Sequence, residues 1–182
     1  SGSGKTTLLN LIGGLDQPTS GEVYINGTRI DTMKAGELTD FRLHNIGFVF
    51  QSYNLIPVLT AYENTEFIMN LLKWPKAQRF LRAKSLLDAV GLSDKLNSRP
   101  GQLSGGQQQR VAVARALASH PKFILADEPT ANLDSKSTEN LLDIMERLNK
   151  EENVTFIFST HDQRVMNKAR RIVLLEDGKV LS

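Results

Sequence analysis

Ser1-Gly2-Ser3-Gly4-Lys5-Thr6-Thr7 runs directly into the apolar helical pattern Leu8, Leu9, Leu11 and Ile12. Glycines free a backbone to wrap a phosphate, and a lysine beside them reaches the terminal phosphates. The first threonine can ligate Mg²⁺, and the N–H groups and dipole of the helix start favour an anion. The stretch therefore reads as a phosphate-binding loop. Its full pattern, G-x-x-x-x-G-K-[ST], calls for a first glycine six residues before Lys5, so the sequence is expected to be a fragment that starts inside the loop. A Gly-Ser stretch can also be a tag scar or linker, but Gly4-Lys5-Thr6-Thr7 leading straight into an amphipathic helix favours the loop.

The rest of the chain must supply what such a loop needs. Its 182 residues, 40% hydrophobic and 23% charged, suffice for one well-packed domain. A net charge of +2 with acids and bases interspersed argues against a nucleic-acid surface. No cysteine occurs, which removes disulfides, thiolate zinc sites and thiol catalysis. No apolar run approaches the ~20 residues that span a bilayer, so any membrane link is expected to come through a partner.

Along the chain, a helix over about Lys5 to Ile12 gives way to an alternating strand, Glu22 to Asn26, with a hairpin turn at Asn26-Gly27. A polar helix over about Gly36–His44 leads to the strand Ile46–Phe50, which delivers Gln51 at its end. Thr60 and Glu63 are spaced as a capping box for a helix to about Leu72. A second helix, about Lys76 to Val90, places Phe80, Ala83, Leu86, Leu87 and Val90 on one face. Ser104 is the natural N-cap of the next helix, and Ser135 of a later one. Phe123-Ile124-Leu125-Ala126 is continuously apolar, as suits a strand buried on both faces of a parallel sheet, and it ends in Asp127-Glu128-Pro129. Val154–Ser159 reads as another core strand ending at Thr160-His161-Asp162, and Arg171–Glu176 as a last strand turning at Asp177-Gly178. Strands alternating with helices predict an α/β sheet covered on both sides, with ligands off the C-terminal strand ends. Residues 1–182 read as one domain, with a helical subdomain inserted at 52–118.

Two further stretches carry chemistry. An aspartate at the end of a buried strand, Asp127, can hold the Mg²⁺ shell, while Glu128 beside it polarises a water at the γ-phosphate. Leu103-Ser104-Gly105-Gly106-Gln107 offers a hydroxyl, bare glycine amides and a helix N-terminus, a second anion site apart from the first. This last stretch resembles the signature motif of ATP-binding-cassette (ABC) ATPases, and the resemblance extends in order along essentially the whole chain. Ser1–Thr7 match the Walker A loop, with Ser1, Gly2, Ser3, Gly4, Lys5, Thr6 and Thr7 as nucleotide contacts. Gln51 matches the Q-loop glutamine, Ser104, Gly105, Gly106 and Gln107 the signature, and Phe123–Asp127 Walker B with Glu128 as catalytic base. Ala131-Asn132-Leu133-Asp134 match the D-loop and His161 the switch histidine. His44 and His120 are expected in surface loops.

The resemblance implies a P-loop NTPase sheet with a helical subdomain carrying the signature, binding ATP and Mg²⁺. It assigns Glu128, His161 and Gln51 to catalysis and Thr6, Gln51 and Asp127 to the metal. Residues 54–64 and 107–111 look like the lipoprotein-release and macrolide-export type. That type implies an ATPase at the cytoplasmic face of the membrane, held there by a transmembrane permease and paired with a second copy of itself around ATP. The adenine-stacking aromatic of the family lies before the Walker loop, outside the sequence, and Ala131-Asn132 stand where serine-alanine is more usual. A soluble ABC ATPase of DNA repair or translation is the alternative; the absence of sustained heptads and of zinc cysteines speaks against the repair type. A P-loop kinase is the third reading, which the signature motif disfavours.

Overall fold

The computed structural model describes residues 3–181. Helix α1 (Lys5–Ile12) starts where Gly4 turns through φ +86°, a left-handed geometry that a side chain disfavours. The hairpin of β1 (Tyr24–Ile25) and β2 (Thr28–Arg29) turns on Asn26 and Gly27, at φ 48° and 76°, the two positive values that a type I′ turn requires. Its first strand is shorter than expected, because the Val23 N–H donates to Asp31 Oδ1 at 2.8 Å rather than to a ladder partner. Next come α2 (Ala35–Asn45) and β3 (Ile46–Val49). His44 belongs to α2 and not to a loop: the Asn45 amide donates back to the Phe41 carbonyl at 2.8 Å, holding the last turn helical.

Three helices follow, α3 (Ala61–Leu71), α4 (Lys76–Ala89) and α5 (Gly105–Leu117). The Thr60–Glu63 box closes reciprocally: the Glu63 N–H donates to Thr60 Oγ1 at 3.1 Å and the Thr60 N–H to Glu63 Oε2 at 2.7 Å. On α4 the residues Ala83, Leu86 and Leu87 are buried, as is Val90 just after it, whereas Phe80 is 47% exposed. Phe80 lies a turn before the buried stripe, with its ring tilted against Tyr62 at 5.7 Å. Arg82 on α4 donates to both Glu152 oxygens, at 2.8 and 2.6 Å, and to the Leu117 carbonyl, tying α4 to the body of the molecule.

The remaining elements are β4 (Phe123–Asp127), α6 (Ser135–Glu151), β5 (Thr155–Ser159), α7 (Gln163–Lys168), β6 (Leu174–Glu176) and β7 (Lys179–Leu181). Asp134, not Ser135, caps α6: its carboxylate accepts from both the N–H and the hydroxyl of Ser137, at 2.9 and 2.7 Å, while Ser135 is already helical. Residues 171–173 stand outside the last hairpin, whose described pairing ends at Leu174↔Leu181.

β3, β4 and β5 form a parallel sheet in that order, with Val49 opposite Ala126 and Asp127 opposite Ser159. Alternation along β4 separates the two faces. Leu125 packs with Leu9 and Ile46 beneath α1 and α2. Ile124 and Ala126 enter a larger core with α3, α4, α5 and α6, so the helical segment and the sheet share one apolar interior. Gly47 allows α5 to lie this close: a Cβ there would sit 2.4 Å from the Ala116 carbonyl oxygen. This architecture brings the ends of β3, β4 and β5 and the start of α1 to one edge.

Candidate nucleotide site

Strand register delivers the site. Asp127 closes β4 beside Ser159, the last residue of β5, so Glu128 and His161 leave the sheet next to each other, and Gln51 follows β3 on the same edge. Thr6, on the first turn of α1, donates from Oγ1 to Asp127 Oδ1 at 3.1 Å, joining groups 121 residues apart. Lys5 Nζ donates to Ser3 Oγ at 2.8 Å, folding the ammonium back over its own loop. The Gly178 N–H donates to the Ser3 carbonyl at 3.1 Å, so the β6–β7 turn buttresses the loop. Ser1 and Gly2 lie outside the described residues.

Glu128 stands in the left-handed region at φ 44°, which is uncommon for a residue with a side chain and gathers at functional sites. Backbone bonds hold it there: its N–H donates to the Ser159 carbonyl at 2.8 Å, and its carbonyl accepts from the Ala131 N–H at 3.2 Å. Both carboxylate oxygens are engaged, Oε1 with His161 Nδ1 at 2.7 Å and Oε2 by the Thr160 hydroxyl at 3.2 Å. An ionised carboxylate only accepts, so the His161 Nδ1 carries the proton of that bond and Nε2 points away from it. The Glu128 side chain is 17% exposed and the His161 ring 77%, which leaves the imidazole edge open to an incoming group. Neighbouring Asp162 accepts from Arg164 and from the Thr130 hydroxyl, at 3.1 Å. Its pKa is drawn down to about 2, chiefly by the Arg164 guanidinium.

The signature stretch lies elsewhere. Ser104 caps α5, accepting from the Gln107 N–H at 3.3 Å while the Ser104 N–H donates to Gln107 Oε1 at 2.9 Å. Ser104 is exposed, and among the described residues no hydrogen bond joins Ser104–Gln107 to Ser3–Thr7. Four of the sequence-marked groups thus converge on one edge, Lys5–Thr6, Asp127, Glu128 and His161, with Gln51 leaving the same edge, while the signature serine is exposed and its two glycines lie half-buried against Tyr53 and Ser137.

Sequence reasoning left other positions unassigned. Gln109 is fully buried on α5 and donates to the Pro129 carbonyl at 2.7 Å, pinning the signature helix to the segment after Glu128. Its signal was an amide on the stripe that also carries Val113 and Ala116. Thr160 is a partner of Glu128 that nothing in the sequence marks. Arg115 donates to the Tyr53 and Asn54 carbonyls, and Asn132, which the D-loop match did mark, donates from Nδ2 to the Gln51 carbonyl at 3.0 Å. His120 stacks on Trp74 with ring centroids 5.9 Å apart, away from this edge.

A phosphate-binding loop opening a helix, an aspartate at the end of β4 within reach of its threonine, and a glutamate just after β4 paired with a histidine just after β5 define a P-loop nucleotide hydrolase. The chain belongs to the ABC transporter family, whose model matches residues 1–131, and it is an ATP-binding, ATP-hydrolysing part of such a transporter. It is 48% identical over 182 residues to the lipoprotein-releasing system ATP-binding protein LolD 1 of Chlorobium chlorochromatii, covering 99% of this chain and 74% of that one. It is 47% identical over 182 residues to the macrolide export ATP-binding/permease protein MacB of Brucella melitensis, covering all of this chain and 28% of that one. The ATP-binding cassette MJ0796 of Methanocaldococcus jannaschii, solved as a dimer in a post-hydrolysis state bound to ADP and Pi, superposes with a TM-score of 0.88. That likeness is at 48% identity and spans 98% of this chain and 78% of that one. Among the described residues no helix is long and apolar enough to cross a membrane.

Proposed function

We propose that this chain hydrolyses ATP with Mg²⁺ at the Thr6–Asp127–Glu128 edge and so drives a membrane transporter of the lipoprotein-release or macrolide-export type. The observation that carries the reading is the Thr6 hydroxyl within 3.1 Å of the Asp127 carboxylate, with Glu128 braced beside it by His161 and Thr160. Among the described residues no cluster of three or more acidic, histidine or cysteine side chains forms a metal cage. A hydroxyl and one carboxylate do suit Mg²⁺, which keeps several waters and shares phosphate oxygens. When bound, Mg²⁺ supplies positive charge to the β- and γ-phosphates. Thr6 and Asp127 hold it, with Gln51 reaching the same region from the end of β3.

The protein groups divide the remaining work. Ser3, Gly4, Lys5, Thr6 and Thr7 cradle the phosphates. Glu128 takes a proton from the attacking water, oriented by its two side-chain bonds. His161, bonded to Glu128 through Nδ1, meets the γ-phosphate through Nε2, and it donates there only when the ring is doubly protonated. Ser104, Gly105, Gly106 and Gln107 complete the site of a second copy: one chain keeps its two anion sites apart, and a two-fold, head-to-tail pair brings each against the other's nucleotide. The dimeric MJ0796 structure supports that reading.

Coupling to a permease at the cytoplasmic face falls to the segment after Gln51. Asn64 clips it from below, accepting from the Ile56 N–H and donating to the carbonyls of Ile56, Leu59 and Thr60. Leu55 packs on the core while Val58 is 72% exposed, so Val58 is the apolar contact offered to a partner. The decisive experiment removes the Glu128 carboxylate in the intact protein: hydrolysis stops and ATP stays bound. Unchanged hydrolysis removes Glu128 from its role.

A further inference from the structure

Three segments distant in sequence meet at the backbone of the Gln51 turn. Asn132 donates from Nδ2 to the Gln51 carbonyl at 3.0 Å. Two residues on, Tyr53 and Asn54 take consecutive left-handed conformations, φ 61° and 49°, and Arg115 of α5 grips both of their carbonyls, at 2.9 and 2.5 Å. The Tyr53 hydroxyl lies against Gly105, where an added Cβ would sit 2.8 Å from it and 3.9 Å from the Asn132 carbonyl. Asn132 is itself joined to the catalytic edge by short turns, the Ala131 N–H to the Glu128 carbonyl at 3.2 Å and the Leu133 N–H to the Thr130 carbonyl at 3.1 Å.

We propose that Asn132 is a positioning residue for hydrolysis: its amide anchors the Gln51 carbonyl to the turn that leaves Glu128, so the glutamine and the glutamate keep a fixed spacing. The proposal rests on the reading of Gln51 given above. Alanine at this position has no donor, so the anchor is a property of Asn132 and not of the backbone. Gln51 and Asn132 are both exposed. An exposed side-chain bond adds little to stability because water replaces it, so its consequence is placement of the Gln51 side chain. A glutamine released from the turn samples more positions, and the cost appears in the chemical step. Phosphate binding at Lys5 and Thr6 does not pass through this bond.

The test is steady-state ATP hydrolysis by the intact protein, read as separate kcat and KM, with the melting temperature measured alongside. Asn132→Asp keeps the shape and removes the donor. It and Asn132→Ala are expected to lower kcat about three- to tenfold with KM for ATP nearly unchanged and no loss of melting temperature, as fits one lost hydrogen bond. Asn132→Gln, which restores an amide, recovers most of the rate. In a Gln51→Ala background Asn132→Asp adds no further loss, because the side chain it positions is gone. Wild-type kcat in Asn132→Asp, or a loss that simply adds to that of Gln51→Ala, overturns the proposal while leaving Gln51 in its role. A fall in kcat that tracks a fall in melting temperature overturns it too. Wild-type kcat in Gln51→Ala itself removes the reading of Gln51, and this proposal with it.

Discussion

Glu128→Gln separates chemistry from binding, and the structure says how cleanly. The unusual φ of 44° at Glu128 is held by backbone bonds to Ser159 and Ala131 that do not involve the side chain, so the turn survives the change. Glutamine has nearly the same shape, and its amide oxygen still accepts from His161 or Thr160. What it loses is the negative charge and the ability to take a proton. The weaker bond to His161 costs about 1 kcal/mol, because charge-assisted bonds are roughly twice as strong as neutral ones. Losing a general base slows turnover by about 10²–10⁴-fold, or roughly 3–5 kcal/mol in the barrier. The change leaves the side chains of Lys5 and Thr6 untouched, so the dissociation constant for ATP is expected to stay nearly the same. Phosphate release measures the first quantity and equilibrium titration with a fluorescent ATP analogue the second. Turnover within about threefold of the unsubstituted protein, far short of the loss expected for a base, refutes the assignment.

The slow variant also reports on assembly: Glu128→Gln protein with ATP should sediment as a dimer, and adding Ser104→Arg should return it to monomer, since Ser104 is exposed on its own chain. A dimer unchanged by Ser104→Arg removes the signature from the interface. Val58→Asp should leave the isolated protein folded and its basal hydrolysis intact, because the side chain is 72% exposed, while transport with the permease fails. Equal transport by Val58→Asp moves the coupling contact elsewhere. Asp162 titrates in the folded protein at about 2, below its ordinary 3.8, so its stabilising bonds are complete above about pH 4 and are lost as pH falls toward 2. Asp162→Asn should flatten the acid limb of melting temperature against pH across that window, and an unchanged slope refutes a contribution from Asp162.

Local signals in this chain were readable wherever the physics is local. The capping box at Thr60–Glu63, the Ser104 cap and the Asn26-Gly27 turn satisfy their own backbone within a few residues, and the buried strand Phe123–Ala126 is marked by its unbroken apolar run, so the local sequence determines them. The phosphate loop and Asp127-Glu128 were equally visible, since a loop for phosphate and carboxylates at a strand end leave few other uses for those residues. Asp134 displaced Ser135 as the cap of α6 because its two carboxylate oxygens take the N–H and the hydroxyl of Ser137 separately, a competition between neighbours that composition alone does not rank. Phe80 read as part of a buried face but stands exposed, because helical periodicity gives direction around an axis and not how far along it the neighbouring helices reach. Only the tertiary structure decided the contacts between turns. The Arg115 grip on Tyr53 and Asn54, the Asn132 bond to Gln51 and the Thr160 bond to Glu128 all join a side chain to a group that a separate strand places. Those bonds depend on the parallel register of β3, β4 and β5, which sets loops 32 to 81 residues apart side by side.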